Sequence, residues 1–173
     1  MNLKEIQTGY LDLLKGRRNS LDFKDEYFRE VAESKNFRVL NDIVIYWRAH
    51  GIREYCAITS ELLIKLDKFQ EKVESFYRDI NFSGYIEELG KTFLQYLSDD
   101  DDKLISFVSR FELALINVNL GSDKEYSIES DFEPDDIFRF ILDNGKYPEQ
   151  SIKKFLVIVS ERLENFYTVE VKE

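Results

Sequence analysis

Apolar residues recur at spacings of three and four through most of the first 119 positions, and toward the C-terminus the pattern shifts to β-branched runs and alternation. That change of period limits the chain to a helical body followed by a smaller part that contains strands. A 3.6-residue period buries one stripe of a helix, whereas a two-residue period buries one face of a strand. Leu3, Ile6, Tyr10, Leu13 and Leu14 predict a helix over about 3–15, and turn chemistry at Gly16-Arg17-Arg18-Asn19-Ser20 ends it. Phe23, Tyr27, Phe28 and Val31 mark a second, short helix. Asn36 is placed to cap a third, with Leu40, Ile43, Val44 and Trp47 as its apolar face and Gly51 as its stop. Thr59 or Ser60 is the expected cap of a segment holding Leu62, Leu63 and Leu66, and Phe69, Val73, Phe76, Tyr77 and Ile80 continue the pattern. Ser83 opens another helix with Tyr85, Ile86, Leu89, Phe93 and Leu97, before a last strong stripe at Leu104, Ile105, Val108, Phe111 and Leu115.

The tail obeys different rules. Pro134 ahead of Asp135-Asp136 is helix-start chemistry, with Ile137, Phe138, Ile141 and Leu142 as the stripe and Gly145 as the end. Residues 149–173 fit either a helical stripe (Ile152, Phe155, Leu156, Val159, Leu163) or strands. The β-branched run at 155–159, the alternation of Tyr167-Thr168-Val169-Glu170-Val171 and the segment Tyr126-Ser127-Ile128-Glu129 favour a small antiparallel sheet. The fold class expected is therefore mainly α, a multi-helix bundle with a small C-terminal α/β or β element. Residues 1–119 form the bundle and 120–173 a small mixed α/β tail packed on it, or the two make one continuous domain.

Charge narrows the partners. Residues 1–90 carry 14 basic and 16 acidic side chains and residues 91–173 carry 10 and 18, a balance of −2 against −8. Phosphate backbones and anionic lipid surfaces select clustered Lys and Arg, so neither nucleic acid nor membrane is an expected partner. No apolar run has the length of a membrane span, and the start, Met1-Asn2-Leu3-Lys4-Glu5-Ile6, lacks the apolar core of a signal peptide. With one Cys there is no internal disulfide, and a cytoplasmic location is expected.

The reactive inventory is thin. A calcium loop starting at Asp99 needs Gly and Glu at its sixth and twelfth positions, where Leu104 and Arg110 stand; one starting at Asp131 meets Asp136 and Leu142. The Asp99–Asp102 run is then a solvated turn whose last acids cap the next helix. His50 and Cys56 are six residues apart, but that spacing supplies no orienting third group for a nucleophile. One His and one Cys also leave zinc without a ligand set. Neither catalytic residues nor a metal site or cofactor in this chain are expected. Contact residues are easier to name: Tyr46, Trp47, Arg48 and Tyr55 combine the side chains favoured at interface hot spots, and Arg110 is a further candidate. Trp47 fits a core role equally, and Arg110 a local pair with Glu112.

The phrase Arg110-Phe111-Glu112-Leu113-Ala114-Leu115-Ile116, late in a helical protein, resembles a feature of the partner proteins that accompany multinuclear non-haem iron oxidative enzymes acting on ribosomally made peptides. The order of parts, a helical region and then a mixed tail, is similar too. The resemblance implies that iron sits in the partner enzyme and that this chain is a non-catalytic accessory subunit that helps present a precursor peptide. An open sheet edge accepts an extended peptide as an added strand, so Tyr126, Ile128, Phe155, Val157, Tyr167 and Val169 are the expected peptide-binding positions. The acidic second half would select a leader with basic residues. An alternative from another class is an acidic immunity or inhibitor protein that covers a basic surface of a toxin or enzyme.

Overall fold

The computed structural model of the chain describes residues 2–80, 86–143 and 145–172. Among these are eight α-helices and three strands: α1 (Leu3–Leu14), α2 (Glu26–Glu33), α3 (Lys35–Tyr55), α4 (Ala57–Lys65), α5 (Phe69–Asp79), α6 (Ile86–Leu97), α7 (Lys103–Asn119), β1 (Tyr126–Phe132), α8 (Pro134–Asp143), β2 (Gln150–Val159) and β3 (Tyr167–Lys172). The chain is mainly α with a small C-terminal antiparallel sheet, as the change of period predicts. The helix start expected at Ser83, with Tyr85, lies outside the described residues.

Two compact units emerge, one from the described residues of 1–51 and 70–83, the other from those of 52–69 and 84–173. In the second unit α7, whose buried residues include Val108 and Ala114, packs against β1 and β2 as well as α4 and α6. The last helix of the bundle and the tail therefore share one core.

In the first unit, Asn2 and Glu5 close a reciprocal capping box at the start of α1, with bonds of 2.9 and 2.8 Å. Leu13, Phe23 and Phe28 are buried together, with Ile6, Tyr10 and Phe37 packed against them. Gly9 makes this possible, because a Cβ there would stand 2.5 Å from the Phe28 ring. The C-terminal carbonyls of α5 find distant donors: Lys15 Nζ bonds the Ile80 carbonyl and Arg17 Nε the Arg78 carbonyl, each at 2.7 Å. Two cations thus satisfy orphan carbonyls at the negative end of the helix.

Three local expectations are corrected. The helix placed between Asn36 and Gly51 instead starts at Lys35 and continues through Gly51 to Tyr55. A mid-helix glycine costs about 1 kcal/mol against alanine, and the extra turn brings Ile52 and Cys56 into full burial. The stripe Leu40, Ile43 and Trp47 is not core, since all three are exposed. Thr59 and Ser60 do not cap α4 but lie buried inside it.

What caps α4 comes from far along the chain. Cys56 occupies the N-cap position and makes no side-chain cap bond. Glu112 of α7, only 4% exposed, accepts the N–H groups of Ile58 at 2.9 Å and Thr59 at 2.8 Å. One carboxylate therefore satisfies two orphan donors and complements the positive end of α4. The start of α7 is capped by Asp102, which bonds the Leu104 and Ile105 N–H groups at 3.1 and 3.5 Å. Burial favours its neutral form, but the Lys68 ammonium at 2.8 Å and those N–H groups outweigh it and hold the carboxyl below the usual range.

The sheet order is β1-β2-β3, antiparallel throughout. Ile128 pairs with Val157, which pairs with Val169, so these three share a face. That face is buried at β1 and β2 and becomes uncovered at β3, where Val169 is 37% and Val171 53% exposed. The other face sets Glu129, Thr168, Glu170 and Lys172 around Leu156 and Ile158, and Lys172 reaches across β2 to Glu129, whose carboxyl it holds below the usual range.

Replacing Glu112 tests the α4–α7 tie. Glu112→Ala strands two buried donors and is expected to cost about 3 kcal/mol, at ~1–3 kcal/mol for each unsatisfied group. Burial raises the Glu112 pKa above its ordinary 4.5, with the Thr59 and Ile58 bonds opposing but not cancelling the rise. A folded-state value above the unfolded one contributes stability that is complete below pH 4.5 and fades as pH climbs through the raised value. Glu112→Gln cannot ionise, so its deficit against wild type, read from urea midpoints, should narrow with rising pH; a deficit independent of pH would refute the assignment.

Candidate functional site

The expected reaction centre candidates do not assemble. Cys56 is fully buried, and its thiol donates to the Gly90 carbonyl at 3.4 Å. Burial pushes the thiol pKa far upward, and the nearby Glu112 charge adds to it, so a thiolate is disfavoured there. His50 is exposed and stacks on Tyr46 with ring centroids 6.4 Å apart. Among the described residues no group of three or more His, Cys, Asp or Glu side chains could hold a metal ion. Glu112, the most buried acid in the phrase at 110–116, is occupied with capping α4 and does not pair locally with Arg110.

The contact candidates scatter. Tyr46 and Trp47 are 65% and 63% exposed on α3, edge to face at 5.8 Å, and Arg48 beside them is half-buried. Those three belong to the first unit, whereas Tyr55 and Arg110 belong to the second. Tyr55 is half-buried and packs flat on α6, where a Cβ on Gly90 would come within 2.0 Å of its ring. Arg110 is exposed and shares a cleft of about 570 Å³ with Asp99, Glu125, Tyr126 and Ile128. Two positions named for peptide binding and one named for a partner therefore meet at one surface.

Of the other strand positions, Phe155 and Val157 are buried on the inner face of the central strand, whose two edges are both paired. Ile128 is also buried there, so these side chains serve the core. Tyr167 and Val169 lie on β3, which among the described residues pairs only with β2.

Tyr167 also lines a groove of about 560 Å³ with apolar walls. Its floor is aromatic: Phe111 of α7 lies 5.2 Å from Phe138 of α8 and 5.4 Å from Tyr167. Leu115 and Leu142 extend the apolar wall, and Asp135, Arg139 and Asp143 stand at the rim. Arg139 is drawn to Asp136 at 3.5 Å, while neither Asp135 nor Asp143 has an ion-pair partner among the described residues. The groove is completed by Phe166, which sits at φ +63° and is 46% exposed. A bulky side chain in the left-handed region is strained, and such strain concentrates at functional sites. The Ser160 N–H holds it in place by donating to the Phe166 carbonyl at 2.8 Å.

Phe111, Leu115, Phe138 and Leu142 were legible as helical stripes but not as walls of a groove. Phe166 carries no sequence signal for its backbone conformation. The joining of β3's first residue to a cavity on α8 is a long-range fact that spacing does not encode.

Iodoacetamide checks the assignment of Cys56 to the core. The native chain should resist alkylation and the denatured chain should take up one equivalent; rapid labelling of the native protein would place a reactive thiol at the surface instead. Compared with protein-family models, curated proteins and solved structures, the chain matches none.

Proposed function

We propose that this chain is a non-catalytic subunit that binds another protein or peptide, taking an extended segment onto the outer edge of β3. In its finer form the segment belongs to a precursor peptide, presented to an iron-dependent peptide-modifying oxidase that holds the metal itself. The observation that carries the proposal is the bare edge of β3. Among the described residues it is paired on one side only, and its inner-face residues Val169 and Val171 are uncovered. An added strand would satisfy the outward N–H and C=O groups and bury those valines together. The resemblance at 110–116 supplies the class of partner.

Proline substitution is the direct test. Neighbouring strand residues point their N–H groups to opposite edges, so one of Val169→Pro and Glu170→Pro removes an outward donor while sparing the β2 ladder. The tagged chain, mixed with the purified products of adjacent genes, is expected to retain a precursor peptide or its oxidase. One of the two variants should weaken that retention about tenfold, one lost strand bond plus steric exclusion, with unchanged circular dichroism. Full retention by both variants would remove the edge from consideration, and no retention by the wild type would remove the accessory role.

A further inference from the structure

We infer that the groove beside β3 receives a lysine or arginine side chain of the bound peptide, an assignment that rests on the strand-addition reading above. The argument starts from α8. Asp135 lies in its first turn and Asp143 is its last residue, eight positions apart, so the carboxylates stand about 12 Å apart along the axis at 1.5 Å per residue. Between them the helix turns Phe138 and Leu142 into the groove. A long apolar stem flanked by carboxylates is the environment in which Lys and Arg bury their methylenes and keep their charge paired.

The C-terminal end of α8 sharpens the choice of cation. Its last turn contains no basic residue, and Asp143 adds a negative charge where the helix dipole is already negative. First-unit chemistry shows the opposite solution, with Lys15 and Arg17 on the terminal carbonyls of α5. On α8 the cation that lines the groove, Arg139, is drawn to Asp136 at 3.5 Å, and among the described residues neither Asp135 nor Asp143 has an ion-pair partner. The floor is aromatic as well: the ring centroids of Phe111, Phe138 and Tyr167 lie 5.2 to 6.0 Å from one another, and a cation over an aromatic ring face is attracted by its quadrupole. A neutral leucine would fill the same volume but leave the carboxylates and the helix end unanswered. Tyr167 belongs to both the groove wall and the first position of β3, so a strand running along that edge passes the groove mouth.

Four labelled synthetic peptides of one alternating Thr/Val sequence, with Lys, Arg, Gln or Leu at the central position, provide the probe. Fluorescence anisotropy with the full chain should give Lys and Arg peptides about tenfold tighter binding than Gln or Leu, the scale of one partly desolvated cation among acids and rings. The Asp135→Asn, Asp143→Asn double variant should abolish most of that preference, while neutralising Asp99 and Asp123, outside the groove, should leave it intact. A Leu peptide that binds as tightly as Lys overturns the inference and leaves strand addition standing. So does a preference that survives the double variant or falls equally with the remote one. Failure of all four peptides to bind overturns both.

Discussion

One buried carboxylate organises the second unit. Glu112 stands on α7, the helix against which α4, α6 and the sheet all pack, and it takes the two N–H groups that α4 cannot satisfy for itself. Without it the start of α4 would be a buried helix end with open donors, which is among the costlier faults a core can hold. With it, the direction of α4 relative to α7 is set by two bonds of under 3 Å as well as by apolar packing. Ile58, whose N–H Glu112 accepts, also lines the groove, so the cap positions part of the groove wall.

The same device recurs with reversed sign in the first unit, where Lys15 and Arg17 close the C-terminal end of α5. Both ends are finished by side chains more than fifty residues away in sequence. Short-range capping therefore handles α1 and α7, through Asn2 and Asp102, while the start of α4, whose N-cap is Cys56, and the end of α5 are finished by distant side chains.

This division explains what could be seen in the sequence. The α1 stripe, the Pro134-Asp135-Asp136 helix start, the Asp102 cap and the three strands were legible because each depends on residues within a few positions of one another. Gly51 misled because burial of Ile52 and Cys56 outweighs a glycine's local preference. The α3 stripe misled because periodicity reports amphipathicity and not which face is covered; Leu40, Ile43 and Trp47 have the right spacing and remain exposed. Thr59 and Ser60 misled because a hydroxyl that suits a cap also fits inside a helix. The candidate site was half visible: β3 was expected as a strand, but its pairing on one side only, and the groove at its first residue, arise from tertiary arrangement.

The margin of β3, which has no strand beside it among the described residues, also bears on how copies of the chain meet one another. Copies made in excess would offer one another the same template, and open strand borders of this kind invite stacking into aggregates. Lys172, which closes the strand and is tethered to Glu129, places charge at the tip and hinders such growth. Val169 and Val171 offer no such hindrance, so charge guards the tip of the strand while its middle stays apolar and open.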